Sequence, residues 1–213
     1  MFHSIDSSFD NFIKLRFPNL KSLELGTLAV LSGSVPYATT TTSVTRFLVE
    51  HNTIEHLSLG KKLSRSGLFF HLDGSLITAD VLPKLRSFEG CSPTITILSQ
   101  RGVRSIFALT SLSLLVSENF EENLYDISAM VETIKSSSAQ ALTSVRDLKV
   151  KFFPIVTPPR LGGGVHAMSS SAVEIIRQRS CLDEMAGVFP NVVNFAGTFP
   201  AMCAVSVSIS LRR

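Results

Sequence analysis

Tryptophan is absent from the 213 residues, and tyrosine occurs only twice. Binding hot spots draw mostly on Trp, Tyr and Arg, so no aromatic-rich recognition patch is expected. Charge is also scarce. Charged residues make up 17% of the chain, with a net charge of +3 and both signs scattered along it. Strong nucleic-acid binding needs a concentrated basic face, so no nucleic-acid partner is expected. The three cysteines, Cys91, Cys181 and Cys203, are far apart and form no C-x-x-C pair. That pattern fits buried thiols in a reducing compartment, cytoplasmic or nuclear. No long apolar run occurs. The stretch LGTLAVLSGSV is too short to span a bilayer and is broken by Gly and Ser. The opening MFHSIDSSFDNF is polar and acidic, unlike a secretory signal. An intracellular protein with no membrane partner is expected.

Catalytic motifs are missing as well. LGGGVHAMSSS is glycine-rich but lacks G-x-x-x-x-G-K-[ST], and G-x-S-x-G does not occur. His51 and His56 are five residues apart across a turn, the wrong spacing for two metal ligands on one helix face. No metal and no cofactor are expected, and a non-enzymatic role is favoured.

What is present is a recurring hexamer: apolar, two residues, apolar, one residue, apolar. LKSLEL places Leu20, Leu23 and Leu25 in it, and IEHLSL places Ile54, Leu57 and Leu59. LRSFEG gives Leu85 and Phe88, and LTSLSL gives Leu109, Leu112 and Leu114. VRDLKV gives Val145, Leu148 and Val150, and VVNFAG gives Val192 and Phe195. The flanks agree too. Pro18, Pro83 and Pro190 stand just before the first apolar position in three copies, where proline suits a strand start. Four copies end in Gly (Gly26, Gly60, Gly90, Gly197), read as a residue that lets the chain bend away.

Each copy follows a stretch with helical periodicity. Phe9, Phe12 and Ile13 share one face in residues 8–16, with Ser7 and Asp10 as a capping box. Val44, Phe47 and Leu48 do so in SVTRFLVEH, and Ile127, Met130, Val131 and Ile134 in DISAMVETIKS. Ile175, Leu182, Ala186 and Phe189 follow a second capping box of Ser171 and Glu174. The unit is helix, tight turn, short strand. It buries its apolar faces only by stacking, strands forming a parallel sheet and helices covering it.

The expected fold is therefore α/β: a leucine-rich-repeat, ribonuclease-inhibitor-like solenoid with its parallel sheet on the concave side and helices on the convex side. One irregular array of about six repeats is expected over residues 1–213. Its strands would lie near 20–25, 54–59, 85–90, 103–116, 145–150 and 192–197. Spacing between first positions runs from 24 residues (Leu85 to Leu109) to 47 (Val145 to Val192), longer than the roughly 20–29 usual for such repeats. The 103–116 segment leaves its register open, with room for one strand or two. YATTTTSVT reads as a surface loop, VSENFEENLYD as an exposed acidic segment, and 153–171 as a flexible loop. AVSVSISLRR alternates Val205, Val207, Ile209 and Leu211 with Ser, as a strand with one buried face does.

The segments FPNLKSLELG, FLVEHNTIEHLSLG and LPKLRSFEGCSPTITILSQRGVRSI resemble the leucine-rich repeat region of fungal F-box proteins, over roughly residues 9–197. Arg101 to Val103 stands where that family has R-P-V at a strand start, with Gly102 for proline. The resemblance implies the substrate-binding repeats of a ubiquitin-ligase receptor. Residues 1–16 hold no L-P-x-E-[LI]-hydrophobic run, so a ligase adaptor becomes a partner only if an F-box lies outside this chain.

In such an array the residues between the apolar positions point to the concave face. The expected partner face is Ser22, Glu24, His56, Ser58, Ser87, Glu89, Ser111, Ser113, Asp147, Lys149 and Asn194, with Ala196 beside it. An unidentified protein is the expected partner. A second reading stays open: a small α/β enzyme with its site at the strand ends near the 161–171 Gly/Ser loop, and His166 as acid/base.

Overall fold

The computed structural model describes residues 14–25, 37–60, 72–117, 120–137, 142–153, 183–199 and 205–210. The elements in chain order are β1 (Ser22–Leu25), α1 (Tyr37–Glu50), β2 (His56–Leu59), β3 (Ser87–Cys91), α2 (Ser92–Gln100), β4 (Ser111–Ser117), α3 (Phe120–Ser137), β5 (Asp147–Phe153), β6 (Asn194–Phe199) and β7 (Val205–Ser210). Residues 183–188 are also helical, and short 3-10 turns span Gly74–Leu76 and Arg104–Ala108. The chain is an α/β protein. Its strands pair strictly in sequence order, β1 through β7. Six run parallel, and β7 returns antiparallel against β6.

The six hexamers fall in one register. Leu23, Leu57, Phe88, Leu112, Leu148 and Phe195 are successive Cα partners across the sheet. These middle apolar residues form a row that joins the core, with Leu59, Leu114 and Val150 in the next row. The helices cover this face with Val44, Phe47 and Leu48 of α1, Ile95 and Leu98 of α2, and Ile127, Met130, Val131 and Ile134 of α3. Met185 and Val188 extend the layer. Hydrophobic burial across this one interface is the main favourable term holding the layers together.

Two backbone devices recur with the hexamer. The N–H of every first apolar residue closes a turn onto the carbonyl three residues back. Leu20 bonds Phe17, Ile54 bonds His51, Leu85 bonds Leu82, Leu109 bonds Ile106, Val145 bonds Leu142 and Val192 bonds Phe189, at 3.0–3.4 Å. The carbonyl just before each strand then accepts two N–H groups from the next copy. Lys21 takes those of Glu55 and His56, Glu55 those of Arg86 and Ser87, and Arg86 those of Thr110 and Ser111. Thr110 takes those of Arg146 and Asp147, and Arg146 those of Val193 and Asn194. Five joints of the same form thus connect six parallel strands.

These turns correct the expected strand limits. The first apolar residue closes the turn, and each of the first six strands begins two residues after it. Pro18, Pro83 and Pro190 occupy the second position of that turn, where a fixed φ near −65° is wanted, and do not start strands. The 103–116 segment holds one strand. Arg104–Ala108 winds as a 3-10 turn, and β4 begins at Ser111. Leu109 is thereby the first apolar position of its copy, and Arg101–Val103 starts no strand; Gly102 turns the chain at φ +66°.

The Thr-rich stretch is not a loop. Residues 37–42 belong to α1, because the helix is held from outside by Val44, Phe47 and Leu48 in the core. Thr45 Oγ1 also donates back to the Thr41 carbonyl at 2.8 Å, a bond that lets threonine sit inside a helix. The acidic stretch joins α3 from Phe120 onward. Glycine plays two parts. Gly60 adopts φ +105° and releases the chain after β2. Gly90 and Gly197 instead lie inside β3 and β6. At Gly90 the space is taken: a Cβ there would meet Cζ of Phe88 at 2.5 Å. Residues 154–171, most of the expected loop, lie outside the described residues, and Phe153 ends β5. The helix expected at 8–16 falls outside them up to Ile13, and Lys14 to Arg16 are not helical. Both capping boxes and Gly26 are likewise outside.

Candidate functional site

The two faces of the sheet differ in chemistry. Alternation along each strand sends the middle and last apolar positions to the helices and the intervening residues to the opposite face. Register assembles these into two rows. The first is Ser22, His56, Ser87, Ser111, Asp147 and Asn194. The second is Glu24, Ser58, Glu89, Ser113, Lys149 and Ala196. All eleven predicted partner-face residues therefore stand on one surface. Ten are at least partly exposed, and Ser113 is buried. Further along the strands the same face closes, with Cys91 and Leu115 both buried. The open polar surface is thus the N-terminal half of the strands, extended on β5 by the partly exposed Lys151.

Glu89 organises its centre. Lys151 Nζ donates to Glu89 Oε2 at 2.8 Å, reaching from β5 to β3 across the intervening β4. Ser58 Oγ donates to Glu89 Oε1 at 3.4 Å. Partial burial raises the carboxyl's proton affinity, but the hydrogen bond and charge of Lys151 outweigh it, with smaller help from the Ser113 and Ser58 hydroxyls. The net effect holds Glu89 below the ordinary carboxylate range. Ser113 acts from beyond hydrogen-bonding geometry, since its buried Oγ has no hydrogen-bond partner. Beside this group, Asn194 Nδ2 donates to Asp147 Oδ1 at 2.6 Å.

Lys151 escaped the sequence reading because the hexamer template stopped at Val150. The signal was available: β5 keeps alternating through Asp147, Lys149 and Lys151, so the third residue shares the face of the other two.

A second polar cluster secures the other edge. His51 is buried, and both ring nitrogens are engaged: Nδ1 donates to the Phe47 carbonyl at 2.7 Å, and Nε2 accepts the Phe17 N–H at 3.0 Å. A carbonyl can only accept and an amide N–H can only donate, which fixes the neutral tautomer. The ring stacks on Phe47 with centroids 3.9 Å apart. His51 is a structural pin between α1 and the turn before β1. His56 is exposed on the polar face. Asp73 ties the segment after β2 back to α1. It accepts from Thr42 Oγ1 at 3.0 Å and from the Ser75 amide and hydroxyl, while its own N–H donates to Thr45 Oγ1 at 2.8 Å. The Ser75 and Thr42 hydrogen bonds hold its carboxyl below the usual range.

Among the described residues no group of three or more His, Cys, Asp or Glu is placed to hold a metal ion, and no helix is long and apolar enough to cross a membrane. Cys91 is a buried thiol, its Sγ 3.3 Å from Thr94 Oγ1. His166 and the 161–171 segment lie outside the described residues, as do Cys181 and Cys203. No protein-family model, curated protein or solved structure matches the chain.

Proposed function

We propose that the chain is a leucine-rich-repeat array of the ribonuclease-inhibitor-like kind, and that the polar face of its sheet binds a protein partner without catalysis. The observation that carries this reading is the shared register: six hexamers, six turns of one form and five joints of one form stack so that one face packs into the core and the other presents polar rows over the N-terminal half of the strands. Sequential parallel pairing with helices on one side is how repeat units bury apolar faces that none could bury alone. Beside its own cross-strand contacts the open face presents exposed polar side chains to solvent, which suits it to recognition. The resemblance to F-box repeat regions makes the substrate-binding part of a ubiquitin-ligase receptor the specific form of this proposal; an adaptor would join through an F-box outside these residues.

The test replaces Glu24, Glu89 and Lys149 together with Gln and compares proximity-labelled proteins in cells. A set of proteins retained by the native chain and lost by this variant is expected. A matched variant in the helical layer, with Glu132, Lys135 and Glu184 changed to Gln, should keep that set. An unchanged set in the face variant overturns the reading.

A further inference from the structure

The series of carbonyl joints has one open place. In each of the five joints, two successive N–H groups turn together onto one carbonyl of the preceding copy, at 2.8–3.2 Å. The donors are the residue before a strand and the strand's first residue. Lys21 and Ser22 hold those two places in the first copy, since Ser22 is the register partner of His56. Their N–H groups therefore point away from β2, and neither has an acceptor among the described residues. The apolar layer is open at the same end. The first and last hexamer positions are fully buried in the second copy, as Ile54 and Leu59, and in the fourth, as Leu109 and Leu114. In the first copy the same positions, Leu20 and Leu25, are only partly buried. The far end of the sheet is finished differently, with β7 paired antiparallel to β6.

We propose that the outer edge of β1 accepts an extended segment of a protein partner, running parallel to β1 and apolar at alternate positions. An unpaired edge is a template for a further strand, because its backbone groups are already in line. The joint selects the direction. Two successive N–H groups share one carbonyl in all five parallel joints. An antiparallel strand exchanges N–H and carbonyl groups residue against residue, which would serve Ser22 and leave the Lys21 N–H unmet. Leu20 and Leu25 select the pattern. Apolar residues of the added strand cover them as the first copy covers Ile54 and Leu59. Glu24 sets the charge. Like charges directly opposite each other destabilise a strand pair, so the residue facing Glu24 is not acidic. This surface is the rim of the sheet and not its polar face, so the proposal goes beyond the reading above and does not depend on it.

The experiment titrates the isotope-labelled full chain with an acetylated, amidated peptide SVRDLKVK, the sequence of residues 144–151. In the register of the sheet its arginine carbonyl meets the Lys21 and Ser22 N–H groups, and its first lysine faces Glu24. Saturable shifts at Lys21 to Leu25, slowed exchange of the Lys21 and Ser22 amides, and intermolecular NOE contacts of a parallel pair are expected. Leu148→Ser with Val150→Ser in the peptide should abolish binding, and Lys149→Glu in the peptide should weaken it. Ser22→Pro in the chain should weaken binding about tenfold, the scale of one lost backbone hydrogen bond. It should leave the melting temperature unchanged, because proline is tolerated where an edge N–H faces solvent. His56→Pro, which removes the 2.9 Å bond to the Lys21 carbonyl, should lower it. An equal loss of stability in Ser22→Pro and His56→Pro would show that another part of the chain already fills the edge. Protection of the Lys21 and Ser22 amides that rises with protein concentration, without peptide, would show a second copy there. Either result overturns the proposal, as do the absence of saturable shifts, antiparallel contacts, equal binding of the serine peptide, or shifts centred on Glu89 and Lys149. The polar-face reading stands or falls separately, by its own triple variant.

Discussion

Lys151 reaches Glu89 over a strand that belongs to neither of them, closing a 2.8 Å contact between β5 and β3. The pair is placed by register and not by neighbourhood in sequence, and it sets the first expectation. Because Glu89 is held below its ordinary range, its folded-state pKa is depressed. Its contribution to stability is present above the unfolded value, 4.5, and is lost as pH falls through the lower folded value. Lys151 is more than a third exposed, so solvent screening limits the pair to about 1 kcal/mol. The denaturation midpoints of the native chain and Glu89→Gln should differ at pH 7, and the gap should narrow progressively as pH falls below 4.5. A constant gap would count against the pairing.

His51→Ala should cost about 2–4 kcal/mol, because a buried ring and two hydrogen bonds are removed together. The loss should be directional. The Phe17 amide loses its acceptor, so hydrogen exchange should speed up at Phe17 to Leu20 while β4 and β5 keep their protection. Uniform loss across the sheet would show that the pin is not local.

Gly90→Ala should destabilise by about 1–3 kcal/mol, because the new methyl would meet the Phe88 ring at 2.5 Å and Phe88 is fully buried. Adding Phe88→Leu removes the obstructing ring. The double variant should therefore fall short of the sum of the two single losses in urea denaturation. Strict additivity would mean the ring is not what reserves the position for glycine.

Thr45→Val keeps the shape but removes the hydroxyl that accepts the Asp73 N–H. A loss of about 1 kcal/mol is expected, with faster exchange of the Asp73 amide. No change in that amide would show that the segment after β2 is not tied to α1 this way.

The pattern of six hexamers was legible because it depends only on alternation, and alternation survives in a single sequence. Leu23, Leu57, Phe88, Leu112, Leu148 and Phe195 were matched by position and lie side by side. The eleven polar residues followed from the same alternation. Strand starts were misplaced by two residues because an apolar residue closing a turn looks the same as one in a strand. The helical Thr-rich stretch was hidden because threonine's low helix propensity is overridden by core contacts that no local window contains. Lys151 and Glu89 sit 62 residues apart, and only the register brings them together.

The five carbonyl joints also set how the molecule would answer a pull. They lie in single file across the sheet, one between each consecutive pair of parallel strands. Tension applied along the strands loads every joint side by side, and they resist as one. Tension applied from β1 toward β7 loads them one after another, so the weakest gives way first and the rest follow as a peel. The same architecture is therefore stiff along one axis and tears stepwise along the other.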